Sequence, residues 1–134
     1  MTTKPMGAFQ ARYEWILKTE TFGILIFCSK RTDDWVWTMY ALVYDNHPMF
    51  GDPQSVCDLE FHCGCTYDEK FTVEPARGIR YDWQKASTYL KIGCDYNHAW
   101  DDFYTRCDPV EGIPASIQRD AQRLYDELSA RGAQ

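Results

Sequence analysis

The sequence contains neither a long hydrophobic run nor an excess of positive charge. Its longest apolar stretches, Phe22–Cys28 and Trp35–Tyr44, are far shorter than the roughly 20 residues that a membrane helix needs. Its 14 lysines and arginines are outnumbered by 20 aspartates and glutamates, giving a net charge of −6. A protein that binds the nucleic-acid backbone carries a positive surplus instead. We therefore expect no membrane span and no direct binding to nucleic acid.

We also expect no secretory signal, because no apolar run of the required length follows the first residues. We therefore expect the protein to work in the cytoplasm, where cysteines are normally thiols. Of the six cysteines, Cys28, Cys63 and Cys94 lie in apolar segments, where burial should make them inert. Cys57 and Cys107 lie in polar segments and are the expected reactive pair.

The chain has no low-complexity stretch, no internal repeat and no flexible linker, so residues 1–134 are predicted to form one domain. Apolar runs and apolar–polar alternation predict strands in its first two thirds. Trp35–Tyr44 is apolar on both faces, which predicts a central strand covered on each side. The predicted strands are Phe22–Cys28, Trp35–Tyr44, Asp58–Cys63 and Ser87–Cys94, and Phe9–Leu17 is either a strand or a short helix.

The last part of the chain has a different periodicity. Ile117, Ala121, Leu124 and Leu128 recur at helical spacing between charged residues, which predicts an amphipathic helix over about residues 114–131. Strands followed by one helix are typical of an α+β fold. We predict an antiparallel sheet of about four to six strands with the C-terminal helix packed on one face.

Histidines and carboxylates occur together in two segments. In the alternating segment, His62 shares a face with two carboxylates. In the loop after Cys94, His98 lies close to Asp95, Asp101 and Asp102. A carboxylate fixes the tautomer of an imidazole and raises its basicity, so such a pair can act as a general base or bind a metal. The same residues can equally form a structural loop.

Thiols and an imidazole also cluster around residue 60. Cys57, His62, Cys63 and Cys65 are residue types that bind zinc. In a strand, however, Cys63 and Cys65 point to one face and His62 to the other. We therefore interpret these cysteines as buried thiols that coordinate no metal.

Three short segments occur in order within the stretch from about Trp35 to Leu128, namely Asn46–Gly51, His62–Tyr67 and Gly93–Asp101. They resemble the Gly-His-Pro-x-Tyr-Gly, His-Gly-Gly-Leu-Thr-Tyr and Gly-Phe-Asp-x-x-His-x-x-Asp segments of a widespread family of small uncharacterised phage and prophage proteins. The resemblance implies a phage origin but no particular reaction. Cys63 stands where the pattern has a glycine. The polar residues that match are His47, His62, Asp95, His98 and one of Asp101 or Asp102.

The first functional hypothesis is a non-catalytic, anti-CRISPR-like inhibitor, a phage or mobile-element accessory protein that binds a host defence complex in the host-cell cytoplasm. Its carboxylates would occupy basic groups that normally hold nucleic-acid phosphates, and exposed aromatic residues would anchor the contact. The partner is then a host protein or protein complex, and no cofactor or metal is required. The candidate partner-binding residues are Asp33, Asp34, Trp35, Asp58, Glu60, Asp68, Glu69, Trp100, Asp101 and Asp102.

The alternative hypothesis is a small-ligand-binding protein or a metal-assisted enzyme with a His/Asp site. Its catalytic candidates are His62, Asp95, His98 and Asp102, with His47 and Tyr67 as optional members. Its candidate metal ligands are His62, His98 and Asp95.

Overall fold

The computed structural model of the chain describes residues 12–73 and 87–132. Its strands are β1 (Arg12–Lys18), β2 (Phe22–Arg31), β3 (Asp34–Tyr44), β4 (Tyr67–Val73) and β5 (Ser87–Asp95). Its α-helices are α1 (Pro53–Cys57), α2 (Asp102–Thr105) and α3 (Ala115–Gly132), and 3-10 turns occupy Pro48–Gly51 and Pro109–Glu111. The helix predicted over 114–131 is thus confirmed to within one residue at each end. None of the helices in the described ranges has the length and apolar character that a membrane crossing requires.

The described strands form one antiparallel sheet with the order β1-β2-β3-β5-β4. Tight turns join β1, β2 and β3 into a meander. Strand β5 pairs with the other side of β3, and β4, which precedes β5 in the chain, pairs with β5 at the edge of the sheet. Strand β3 therefore lies at the centre of the sheet, as its apolar sequence predicts. The predicted α+β class, with a five-stranded antiparallel sheet and a C-terminal helix, is confirmed.

The hydrophobic core lies between α3 and one face of the sheet. Alternate residues of β3 point to this face, so that Trp37 and Met39 are fully buried. Helix α3 covers them with the residues whose spacing predicts the helix, including Ile117, Leu124 and Leu128. The same periodicity therefore determines both the helix and the side of it that packs on the sheet.

The other face of β3 is only partly covered, contrary to the prediction. Tyr40 on this face is half-buried, and the ammonium group of Lys91 lies 4.4 Å from the centre of its ring. A lysine can cover an aromatic ring while its charge stays in water. The ring of Tyr40 is therefore shielded by a long side chain of the neighbouring strand β5.

The strand predicted at Asp58–Cys63 is wrong, because this segment is a loop. Helix α1 ends at Cys57, and the chain turns at Cys63 and Gly64, where φ is 57° and 88°. These angles lie in the left-handed region, which no extended strand contains. The two apolar side chains of the segment, Leu59 and Phe61, are nevertheless buried, and this explains why their spacing imitates a strand.

Two further differences concern the edges of the sheet. Strand β4 is not predicted by the sequence, because an edge strand with three charged residues lacks the apolar pattern of the inner strands. In the segment Phe9–Leu17, residues 9–11 lie outside the described residues. The remainder belongs to β1, so a strand is correct there and a helix is wrong.

His47 connects the turn after β3 with the end of α3. It is 3% exposed, and its Nδ1 accepts a hydrogen bond of 3.0 Å from the N–H of Met49. Its Nε2 lies 3.0 Å from the carbonyl oxygen of Leu128. Because Nδ1 accepts, Nε2 carries the proton and donates it to this carbonyl. The contacts of His47 are therefore those of a structural residue.

We predict that His47→Ala lowers the free energy of unfolding by roughly 2–4 kcal/mol, because it leaves a buried N–H and a buried carbonyl without their partner. Chemical denaturation followed by tryptophan fluorescence measures this change. Asn46→Ala, which removes an exposed hydrogen bond to the Glu20 carbonyl, is the control and should change it by less than about 1 kcal/mol. Equal effects of the two substitutions would contradict the structural role of His47.

Candidate functional site

Two loops bring the other two histidines to one buried carboxylate. The loop between α1 and β4 carries His62, and the loop between β5 and α2 carries His98 and Asp101. His62 Nε2 lies 2.9 Å from Asp101 Oδ1, and His98 Nδ1 lies 2.8 Å from Asp101 Oδ2. The Asp101 side chain is 3% exposed, whereas those of His62 and His98 are 21% and 22% exposed. The cluster is therefore closed on its carboxylate side and open to solvent on its imidazole side.

The backbone holds the loop that carries Asp101. The N–H of His98 donates to Asp101 Oδ2 at 3.0 Å, and the N–H of Asp101 donates to the carbonyl of His98 at 2.9 Å. Beyond α2, the carbonyl of Cys107 accepts a hydrogen bond from the indole of Trp37 in the central strand. The loop that carries His98 and Asp101 is thus connected to the sheet at both ends, through β5 before it and through the hydrogen bond from Trp37 after α2.

Asp101 is charged in spite of its burial. Burial by itself raises the pKa of this carboxyl group, but hydrogen bonds from the backbone and side chain of His98 and from His62 lower it further than burial raises it, so the pKa lies below the usual 3.8. A charged carboxylate only accepts hydrogen bonds, so His62 Nε2 and His98 Nδ1 each carry a proton. In the neutral rings, His62 Nδ1 and His98 Nε2 consequently keep a free lone pair.

Aromatic packing fixes the ring of His62. It stacks on Tyr96 with ring centres 4.4 Å apart and planes inclined by 19°, and Tyr104 packs edge-on at 5.7 Å. Tyr96 is fully buried, and its hydroxyl donates to Asp120 of α3 at 2.6 Å. Burial and this hydrogen bond raise the pKa of Tyr96 far above its usual range, so the hydroxyl stays a donor. The imidazole therefore rests on a ring that is itself anchored to α3.

A third ligating atom lies beside the two histidines. One nitrogen of His62, one nitrogen of His98 and the Sγ of Cys63 all lie within 4.8 Å of one another. The N–H of Gly64 donates to the carbonyl of Phe61, so His62 and Cys63 are the central residues of a tight turn. In this turn the two side chains reach the same cluster, whereas in the predicted strand they would point to opposite faces.

Cys57 and Cys65 form a disulfide, so the expectation that all six cysteines are thiols is wrong. Their Cα atoms are 5.4 Å apart across a sequence separation of 8 residues. An extended strand would separate them by about 26 Å. The same reversal of the chain therefore ends the predicted strand and brings the two cysteines together.

The free cysteines differ in their exposure. Burial is the main cause that raises the pKa of Cys28 and of Cys94 to about 12, and their expected burial is confirmed. Cys63 is exposed, so its predicted burial is wrong. Cys107 is partly buried, which raises its pKa, and Cys57 is in the disulfide. The prediction that Cys57 is reactive is therefore wrong, and that for Cys107 stays a prediction. The exposed free thiol of the described residues is Cys63.

The aspartate that serves the histidines is not the one in the predicted catalytic set. Asp101 contacts both rings, while Asp102 is exposed at the start of α2. Asp95 lies farther away, with its Oδ1 3.8 Å from His98 Nδ1 and engaged by the N–H of Asn97. The structure thus brings together the two predicted histidines, but the carboxylate that contacts them belongs to Asp101 and not to the predicted Asp102.

The predicted metal-ligand set changes in the same way. Cys63, and not Asp95, groups with the two histidines. The optional members lie elsewhere, because His47 packs against α3 and the hydroxyl of Tyr67 donates to Glu69 on β4. Nothing in the sequence pattern of a strand points to Cys63 as a neighbour of His62.

Most candidate partner-binding residues lie on the surface. Trp35 is partly buried and packs against Tyr13, and the carboxylate of Glu60 pairs with Arg123 of α3 at 2.6 Å. Asp101 is buried with both oxygens engaged, so its prediction as a surface contact is wrong. The exposed members of the set are Asp33, Asp34, Asp58, Glu60, Asp68, Glu69, Trp100 and Asp102.

Comparisons with known proteins find no match to this chain, whether with family models, with curated proteins or with solved structures. The function proposed below therefore rests on the geometry of the site.

We predict that Asp101→Asn lowers the free energy of unfolding at neutral pH by about 1.5–3 kcal/mol, because charge-assisted hydrogen bonds to both histidines are lost. A carboxyl group whose pKa is lowered by folding stabilises the protein above its ordinary pKa and loses this effect as the pH falls toward its folded pKa. The difference in unfolding free energy between the wild type and Asp101→Asn should therefore become smaller below about pH 4.

Denaturant titrations from pH 2.5 to 7 in the presence of a chelator measure this dependence. Asp102→Asn, which alters the exposed neighbour, is the matched control and should follow the wild-type curve. A difference in unfolding free energy between wild type and Asp101→Asn that is constant over the whole pH range would contradict the assigned role of the Asp101 charge.

Proposed function

We propose that the protein binds one divalent transition-metal ion, of the zinc class, through His62, Cys63 and His98, and that it carries out a metal-assisted reaction on a small ligand. The observation that carries this proposal is the convergence of three ligating atoms within 4.8 Å of one another. Thiolate and imidazole ligands are the ones that zinc prefers.

The spacing of these atoms suits a small adjustment on binding. Bonds of 2.0–2.3 Å in a tetrahedral site place ligand atoms about 3.3–3.8 Å apart. The three atoms need to close by roughly 1 Å from the upper limit of 4.8 Å. Cys63 lies on an exposed turn, so its side chain can move toward the two histidines.

Asp101 supports the proposed metal site from behind. Histidines that bind metals usually donate their other N–H to a carboxylate, which fixes the tautomer and increases the basicity of the free nitrogen. Asp101 accepts from both rings in this way. The proposal therefore places the ion at His62 Nδ1 and His98 Nε2, the two nitrogens whose lone pairs Asp101 leaves free.

Three protein ligands leave the fourth position of a tetrahedral ion open, which is typical of catalytic rather than structural zinc. A bound ion of this class acts as a Lewis acid and lowers the pKa of a coordinated water to about 7. The indole of Trp100 stacks on His98 and is itself 71% exposed, so it would offer an apolar surface to a ligand that binds near His98. Hydrolysis of a polar bond in a small ligand is the reaction class that fits these features best.

The proposed site also agrees with the resemblance to phage and prophage proteins. His62 and Cys63 belong to the second resembling segment, and His98 and Asp101 belong to the third. We propose membership of that family on the same grounds, since the segments that carry the resemblance supply both histidines and Asp101. The Cys63 thiol is particular to this chain, because the pattern has a glycine at that position.

We predict that the purified protein binds one equivalent of Zn²⁺ or Co²⁺, and that Cys63→Ser and His98→Gln each lower the affinity at least about 10- to 100-fold, the loss expected even for residues that only support ligands. Calorimetry measures the zinc affinity. The visible spectrum of the Co²⁺ complex reports the thiolate, whose charge-transfer band should vanish in Cys63→Ser.

The control for these variants is Cys107→Ser, because Cys107 is a free cysteine outside the cluster. It should bind Zn²⁺ as the wild type does. Full affinity in Cys63→Ser and His98→Gln, or no stoichiometric binding by the wild type, would refute the metal site.

A second candidate function is the binding of a basic host protein, as in an inhibitor of a host defence complex. The observation that favours it is the pair of exposed aromatic residues that flank an exposed carboxylate, with Trp100 at 71% and Phe103 at 66% exposure around Asp102. The antiparallel register places the β2–β3 turn, with Asp33 and Asp34, at this same end of the sheet. Such a surface would suit arginine-rich channels that normally hold nucleic acid.

We predict for this candidate that Asp33→Lys/Asp34→Lys combined with Trp100→Ala weakens binding to a purified CRISPR effector complex more than about tenfold, since charge reversal opposes association and the aromatic anchor is lost. Biolayer interferometry measures the affinity. Glu20→Lys, in the turn at the opposite end of the sheet, is the charge control. Unchanged binding in the combined variant would rule out this surface.

A further inference from the structure

We infer that the Cys57–Cys65 disulfide acts as a redox control of the site, because it holds the turn of His62 and Cys63 against the Asp101 half and its reduction releases that turn. This inference rests on the proposed metal site for its functional consequence. The disulfide encloses both residues, since it joins positions on either side of them in the sequence.

The backbone of the enclosed segment makes few hydrogen bonds. Between Leu59 and Thr66, the backbone hydrogen bond recorded among the described residues is the local one from Gly64 to Phe61. The first bond to the sheet comes at Thr66, whose N–H donates to the carbonyl of Gly93. The side chains of Leu59 and Phe61 are buried before the turn. The ring of His62 is held by Asp101 and Tyr96, whereas the backbone of the tip, with His62 and Cys63, depends on the covalent link for its position.

The conformation of the tip also needs support. Cys63 has a φ of 57°. This conformation is unfavourable for any residue that has a Cβ atom, and it persists only where the surroundings enforce it. The disulfide enforces it by closing a short loop, which removes most of the alternative conformations of the enclosed residues. When the link is broken, the backbone can relax to a conformation that moves the thiol away from the histidines.

The Asp101 half does not depend on the disulfide. His98 is bonded to Asp101 through its own backbone and side chain, within a loop that starts at the end of β5. Trp37 holds the chain beyond α2. Reduction should therefore displace Cys63 and weaken the bond from His62 to Asp101 while His98 stays in place, which distinguishes a switch from general unfolding.

The redox step needs a dithiol as its reductant. Two electrons and two protons pass from the dithiol to the disulfide, so that Cys57 and Cys65 become thiols and the dithiol becomes a disulfide. No other bond is broken. In a reducing compartment the loop would be released and the site would bind the metal weakly. Under oxidising conditions the loop would be held in place and the site would bind the metal more tightly.

The first test compares Zn²⁺ affinity in the oxidised wild type and in Cys57→Ser/Cys65→Ser. The serine pair mimics the reduced loop without adding thiols that could bind metal themselves. We expect the affinity to fall about 10- to 100-fold, the range seen when the support of a ligand is removed. Cys107→Ser, outside the loop, should show no change.

The second test needs no metal and uses the wild type itself. Histidine ring signals are followed by NMR in chelator before and after reduction with a phosphine. We expect the His62 Nε2–H signal, which reports the bond to Asp101, to shift or disappear, and the His98 Nδ1–H signal to persist. This measurement also applies if the serine pair fails to fold.

The outcomes separate the two proposals. If the wild type binds Zn²⁺ and the serine pair binds it equally well, the redox control is overturned and the metal site stands. If the wild type binds no metal, the proposed function fails, and the NMR result alone decides whether the disulfide positions His62. Unchanged signals for both histidines after reduction would overturn the inference in either case.

Discussion

A charged carboxylate that is removed from water must be compensated by hydrogen-bond donors, and in this protein that requirement joins two loops that are distant in sequence. Asp101 receives donors from its own loop and from His62, which lies 39 residues earlier. Without them its burial would cost several kcal/mol. The tautomers of both rings follow from this one group, and the orientation of the His62 ring follows from it together with the stacking on Tyr96.

The fold could be predicted largely from the sequence because local pattern and tertiary role agree there. In α3, one periodicity defines both the helix and its buried side, and in β3 a continuous apolar run matches a central position. The carboxylate of the site could not be predicted in this way. Asp101 and Asp102 are adjacent and chemically identical, and only the turn that starts at His98, together with a donor from a distant loop, distinguishes them.

The loop that carries His62 could not be predicted because two signals in it conflict. Leu59 and Phe61 alternate as in a strand, but their burial is achieved within turns. Turn formation is favoured because Gly64 adopts its positive φ without steric cost and the Cys57–Cys65 link closes the loop. A signal for this was present in the resembling pattern, where a glycine occupies the position of Cys63. A glycine at that point indicates a left-handed conformation, whereas a cysteine suggests a small buried residue.

The two halves of the site are held by different interactions, and this difference explains why a cysteine can occupy a left-handed position in one of them. The half with Asp101 and His98 takes its geometry from hydrogen bonds and from the sheet, so it tolerates little change. The half with His62 and Cys63 is a closed loop whose ends are linked covalently. A residue with a Cβ at a left-handed position costs about 1–2 kcal/mol relative to glycine. A cross-linked loop can bear this cost, because the alternative conformations that would relieve it are excluded. The disulfide and the exposed thiol between its ends are therefore coupled features, and the chemistry of the thiol depends on the integrity of the link.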